Sequence, residues 1–161
     1  MGIRKGLIAL GAAVVALGVA FAVPTPDAAA SGAELSHAAA AKKLKAAKIT
    51  WSSSGGCSDR NRPNCTSFTG IKSGTVSGTV SGVVTFKKSS KCKVTITGGT
   101  ETGHASGTYS HWNGYKVDVA ITTCVTNYIK RNFSAIGGNK WRSSSGNVYF
   151  NEGNHWDITY Y

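Results

Sequence analysis

Four cysteines constrain this chain more than any other feature: Cys57, Cys65, Cys92 and Cys124. Whether they crosslink depends on where the chain is sent, and the N-terminus bears on that. Arg4 and Lys5 open the chain, and an apolar, charge-free run follows from Leu7 to Val23. Pro24 and Pro26 then lead to Ala28, Ala29, Ala30 and Ser31. A basic start, an apolar middle and a small-residue site describe a secretory signal peptide, so residues 1–30 are expected to be removed near Ala30. A membrane anchor is the competing expectation, because the run is just long enough to span a bilayer. All four cysteines lie beyond residue 30. In an oxidising compartment they read as two disulfides. Pro63 and several turn-forming residues lie between Cys57 and Cys65, which favours that pair and leaves Cys92 with Cys124.

The 161 residues allow one ordinary domain. Residues 31–50 are expected to form a basic, Ala-rich helical segment and residues 51–161 the functional domain. From Ala33 to Lys48, apolar residues recur at near-helical intervals, and Lys42, Lys43, Lys45 and Lys48 make a basic surface. That surface is either simply solvated or suited to an anionic cell surface. His37 lies far from any other candidate ligand and reads as exposed. Ser52 to Pro63 reads as loop. Ser73 to Gly82 repeats Ser-Gly-Thr-Val and Ser-Gly-Val-Val without deciding between helix and strand. Val83–Lys87, Cys92–Thr97 and Tyr115–Ile121 read as strands, Thr123–Ile136 as a helix stopped by Gly137-Gly138. Asn147–Phe150 and His155–Tyr160 read as two closing strands. The expected fold class is α+β, a small antiparallel sheet with flanking helices.

Charge then singles out two short segments. Lysine and arginine total 18 against only 7 aspartates and glutamates, a net charge of +11. Glu101, His104, His111 and Asp118 fall in one segment, and Glu152, His155 and Asp157 in another. In a chain this poor in acid, that concentration is the main functional signal. His111, Asp118 and His155 together are a suitable ligand set for one zinc ion with an open fourth position. Asp118 stands inside an expected strand, where a carboxylate is costly to bury unpaired. Glu152, three residues before His155, is placed to take a proton from water beside that set. Asp157, two residues after His155, falls on the same strand face and is a candidate to orient a ligand imidazole. Tyr109, Trp112, Tyr115 and Trp156 suit either a substrate groove or the core.

The stretch Ser110-His111-Trp112-Asn113-Gly114-Tyr115-Lys116-Val117-Asp118 resembles the Ser-x-His-x-x-Gly-x-Ala-x-Asp signature of zinc D-alanyl-D-alanine carboxypeptidases and related L-alanyl-D-glutamate endolysins. Glu152-x-x-His155 resembles their closing Glu-x-x-His. The resemblance covers about residues 94–160. It implies the zinc fold those peptidases share with the hedgehog signalling domain. It also implies His111, Asp118 and His155 as zinc ligands and Glu152 as catalytic base. The motif departs from the pattern in three places. Serine directly precedes His111, Lys116 replaces a small residue, and Glu101 stands where the family commonly has Arg or Gln. His104 and Lys116 are then the candidates for polarising the scissile carbonyl, with Tyr109 and Trp112 as candidate substrate contacts.

The implied activity is hydrolysis of an amide bond in peptidoglycan stem peptides or cross-bridges. A secreted, monomeric enzyme with an anionic wall as partner fits the positive charge. Two other functions are compatible: a non-catalytic wall-binding module on the same fold, and a secreted basic ribonuclease. No recognised RNA-binding motif is present, so nucleic acid is not an expected partner.

Overall fold

A computed structural model describes residue 2 and residues 32–74 and 78–161. The expected signal peptide lies outside the described residues. The elements run β1 (Glu34–Leu35), α1 (His37–Ala46), β2 (Thr50–Trp51), β3 (Ile71–Lys72) and α2 (Thr79–Ser90). They continue as β4 (Thr95–Gly98), β5 (Lys116–Ala120), α3 (Thr123–Asn132), β6 (Ser134–Gly137), β7 (Lys140–Arg142), β8 (Val148–Asn151) and β9 (His155–Thr159). The class is α+β, as expected. The sheet is larger than expected, with seven strands in the order β2-β4-β5-β9-β8-β7-β6. Every pairing in it is antiparallel except β2 with β4. A two-stranded ladder of β1 and β3 stands apart from it.

Strand alternation gives the sheet two unlike faces. Val117 and Val119 of β5 and Trp156 and Ile158 of β9 are fully buried. They join Leu44 of α1, Val80, Val83 and Phe86 of α2, and Val125 and Ile129 of α3 in one core. The helices therefore cover that face. The opposite face carries Lys116 and Asp118 of β5 and His155 and Asp157 of β9. Asp118 pairs directly with Asp157, and Ala120 with His155. The polar candidates of the sequence are thus the outward half of two paired central strands.

Three expected elements differ. Val83–Lys87 is not a strand but the middle of α2. Val80, Val83 and Phe86 are buried at helical spacing, so burial overrides the β preference of Val and Thr. The helix expected from Thr123 to Ile136 ends at Asn132. Gly137 and Gly138, both at positive φ, form the turn of the β6–β7 hairpin and do not stop a helix. The N-terminal helix begins at His37 with Ser36 as its cap, because Glu34 and Leu35 pair with β3.

His37 is not simply exposed. It is partly buried and stacks on Phe68 with 5.2 Å between ring centroids. The Phe68 amide donates to its Nδ1. Both expected disulfides are present, Cys57–Cys65 and Cys92–Cys124. Two disulfides fit an oxidising compartment. Among the described residues, no helix is long and apolar enough to cross a membrane.

Candidate metal centre

The 99–115 loop between β4 and β5 folds over the polar face and brings two histidines onto it. Its path is fixed by glycines at close approaches. A Cβ on Gly99 would lie 1.9 Å from the Ser67 carbonyl oxygen. Gly114 has φ +79°, and its Cβ would lie 2.2 Å from the Gly70 carbonyl oxygen. Arg60, from the loop closed by Cys57–Cys65, clamps the segment at both ends. Its Nε donates to the Thr100 carbonyl at 3.1 Å and its Nη2 to the Trp112 carbonyl. Its guanidinium lies 3.7 Å from the centroid of the Trp112 ring.

The loop and the two strands converge on Asp118. His111 Nε2 lies 3.2 Å from Asp118 Oδ1, and His155 Nε2 lies 3.4 Å from the same oxygen. Neither approach forms a hydrogen bond, and Oδ1 is buried with no partner among the described residues. His111 Nδ1 lies 2.6 Å from the Gly99 carbonyl oxygen. A carbonyl only accepts, so Nδ1 carries the proton. In the neutral ring Nε2 is then a bare lone pair facing a carboxylate. A cation between two such electron-rich atoms, or a proton on Nε2, relieves the approach.

The spacing suits a metal. Ligand atoms on a tetrahedral zinc, with bonds near 2.0–2.1 Å, sit about 3.3 Å apart. The backbone bond to the far nitrogen of His111 is the usual support for a metal-bound imidazole. Three side chains, His104, His111 and Asp118, have ligand atoms all within 4.8 Å of one another and can hold a metal ion. His155 falls outside that group of three, although it meets Asp118 from β9. The expected set of His111, Asp118 and His155 therefore shares two members with that group.

His104 stacks on His111 with 3.8 Å between ring centroids. Its Nε2 lies 3.4 Å from Glu101 Oε1 and its Nδ1 3.6 Å from Asp118 Oδ2. The Glu101 contact above all, and then the charge of Asp118, holds its pKa above the ordinary histidine range. Glu101 is buried. Its carboxylate accepts from the Ser67 amide at 2.7 Å and from the Gly99 amide at 2.9 Å. Burial alone would raise the Glu101 pKa, but the bonds from His104 and these amides outweigh it and leave it lowered. Asp118 follows the same pattern: burial opposes its charge, and His111, His155 and His104 together win.

Glu152 Oε2 lies 3.1 Å from His155 Nε2, so the expected base does stand at the group. The tight β8–β9 turn places it there, with the Glu152 amide donating to the His155 carbonyl. Lys116 Nζ is 2.7 Å from Asp157 Oδ2. Asp157 thus anchors Lys116, and among the described residues no imidazole donates to it. Tyr109 and Trp112 remain exposed on the loop. Trp156 belongs to the core, where its Nε1 donates to Thr126 Oγ1.

Two residues of the site went unrecognised in the sequence. Glu101 belongs to the acid–histidine segment and departs from a motif, but neither sign assigns it the role of holding the loop amides. Arg60 gives no local sign, because its role depends on contacts 40 and 52 residues away. In comparisons with protein-family models, curated proteins and solved structures, the chain matches none.

Proposed function

We propose that this chain is a secreted, zinc-dependent peptidase that hydrolyses an amide bond in the peptide part of a bacterial cell wall. The observation that carries the reading is the meeting of His111, Asp118 and His155 at one unpartnered oxygen, with Glu152 beside His155. We read His111, Asp118 and His155 as the residues that hold one zinc ion, and the sheet as a variant of the hedgehog-like peptidase fold. Bound there, zinc supplies Lewis acidity toward water and toward a carbonyl.

The protein's own residues do the rest. Glu152 accepts a proton from the attacking water and returns it to the leaving amine. His104, whose pKa Glu101 and Asp118 raise, is the donor we assign to the developing negative charge. It takes over the role that the family gives to Arg or Gln. Lys116 is neutralised by Asp157 and serves the site by balancing the Asp118–Asp157 pair across the two strands. Tyr109 and Trp112 present aromatic faces at the rim for substrate.

The test is digestion of purified peptidoglycan by zinc-loaded protein, with new termini identified by mass spectrometry. New amino termini are expected from the wild type. Chelator abolishes them, and Glu152→Gln lowers turnover by about 10²–10⁴-fold. Undiminished turnover in Glu152→Gln would refute the mechanism. Binding of the wall without any cleavage would establish the non-catalytic module instead.

A further inference from the structure

Two helices end at one corner of the molecule, and the strand order explains why. Helix α1 runs through Ala47 and Lys48 into β2, and α2 runs through Lys91 and Cys92 into β4. Strands β2 and β4 are parallel neighbours, with Thr50 opposite Thr95 and the Thr50 amide donating to the Val94 carbonyl at 3.2 Å. Their starts lie side by side, so both helix C-termini lie there too. Six exposed lysines gather at this corner: Lys43, Lys45 and Lys48 from the first helix end, Lys88, Lys91 and Lys93 from the second. Asp59 is the only acid between Leu35 and Thr100. Among the described residues none of the six forms an ion pair; the lysines that do are Lys72 with Glu34 and Lys116 with Asp157.

Helix stability accounts for only part of this cluster. Lys43, Lys45 and Lys88 stand in last turns, where a cation complements the helix dipole. Lys48, Lys91 and Lys93 lie at or past the helix ends. Lys48 has φ 57° and Lys91 φ 58°, the left-handed region that glycine enters freely and a residue with a Cβ does not. Among the described residues one other non-glycine residue has positive φ, Asn139, and asparagine tolerates that region. At both helix ends, then, a lysine stands where the backbone would be less strained with glycine. Strain kept at an exposed, charged position points to a use outside the fold.

We propose that this corner is a docking surface for a flexible cell-wall polymer of phosphodiester-linked units. The choice of a wall source rests on the secreted, wall-directed reading above; the choice of phosphate rests on the cluster itself. Its cations are all lysine, point charges that suit phosphate, with no arginine fork for planar carboxylates or bases. The exposed large apolar side chains, Tyr109, Trp112, Ile121, Ile136 and Tyr161, all belong to other parts of the chain. Trp51 is half-buried, with Lys45 Nζ 5.5 Å from its ring centroid. The corner therefore offers no exposed ring to stack a base and no apolar side chain to enter a bilayer. Gly98, opposite Asp118, lies five residues along from Lys93, about 16 Å at strand rise, so a polymer held at the corner leaves the metal centre open.

The test titrates a poly(glycerol phosphate) polymer into the full-length protein by calorimetry, at salt from about 50 to 200 mM. The wild type binds saturably and loses affinity as salt rises. Lys48→Gln, Lys91→Gln and Lys93→Gln together weaken binding about 10-fold and reduce the slope of log affinity against log salt by about 2. Arg131→Gln, Lys140→Gln and Arg142→Gln together remove the same charge from exposed positions toward the opposite edge of the sheet and weaken binding far less. Lys48→Gly with Lys91→Gly weakens binding while raising the thermal midpoint, because the strain goes with the charge. Glu152→Gln binds like the wild type. A protein that binds the polymer in this way but cleaves no peptidoglycan keeps the docking surface and loses the catalytic reading. No saturable binding, equal weakening by the two triple variants, a lowered midpoint in the glycine variant, or tighter binding of duplex DNA or of phosphatidylglycerol vesicles than of the polymer would each overturn the proposal.

Discussion

Asp118 is the residue on which the site turns. One of its oxygens meets two imidazoles without a hydrogen bond, and a carboxylate so placed is stable only with a cation nearby. Its neighbour Glu101 shows how the loop over it is held. Glu101→Ala would leave the buried amides of Ser67 and Gly99 without acceptors, at about 1–3 kcal/mol each. Chemical denaturation should show that loss, with Glu101→Gln milder because one acceptor oxygen remains. The same residues set a pH window for the metal-free protein. Glu101 is depressed in the fold, so its contribution is present above its ordinary value of 4.5 and is lost as pH falls through the folded value. His104 is raised, so its contribution is full below its ordinary value of 6.5 and is lost as pH rises through the folded value. Thermal melts in chelator should therefore peak between about pH 4.5 and 6.5. A midpoint still climbing above pH 8 would contradict these assignments.

Elements hold the site through two crosslinks with different tasks. Cys92–Cys124 joins the segment after α2 to the start of α3 across 32 residues. Replacing both cysteines by alanine should cost about 3–4 kcal/mol in the chain-entropy account while leaving the metal group intact. Cys57–Cys65 closes a short loop whose member Arg60 spans the ends of the histidine loop. Its removal should cost less stability but loosen His104 and His111, read as weaker metal binding. Helix α2 depends on contact with the last strand. A Cβ on Gly82 would lie 2.1 Å from the Tyr160 ring, so Gly82→Ala should destabilise by about 1–3 kcal/mol, measured by urea unfolding. This helix was also the element least legible in the sequence. Its Thr, Val, Ser and Gly residues have weak or contrary helix preference, and only its fit against the sheet makes it a helix. Strands β5 and β9 were legible because alternation and chemistry coincide in them, with Val117 and Val119 inward and Lys116 and Asp118 outward. The β6–β7 hairpin was hidden because two glycines serve equally to end a helix and to turn a strand.

The whole molecule is a sheet whose two faces divide the work, with helices burying one and the histidine loop covering part of the other. The sequence told which acids and histidines would gather, since so few acids are present. It did not tell that Arg60 and Glu101 would hold the loop, because both act through contacts distant in sequence or with backbone amides. A net charge of +11 adds a long-range attraction to anionic polymers that salt screens within about 8–10 Å. Retention on purified walls should fall steeply between low and physiological salt for wild type and Glu152→Gln alike. The central claim is the identity of the metal ligands, and metal content after dialysis against one equivalent of zinc tests it most directly. The wild type should retain one zinc per chain. His111→Ala, Asp118→Ala and His155→Ala should each lose it, and His104→Ala should keep it. Retention of zinc by His155→Ala together with its loss from His104→Ala would contradict the account and assign the metal to His104, His111 and Asp118.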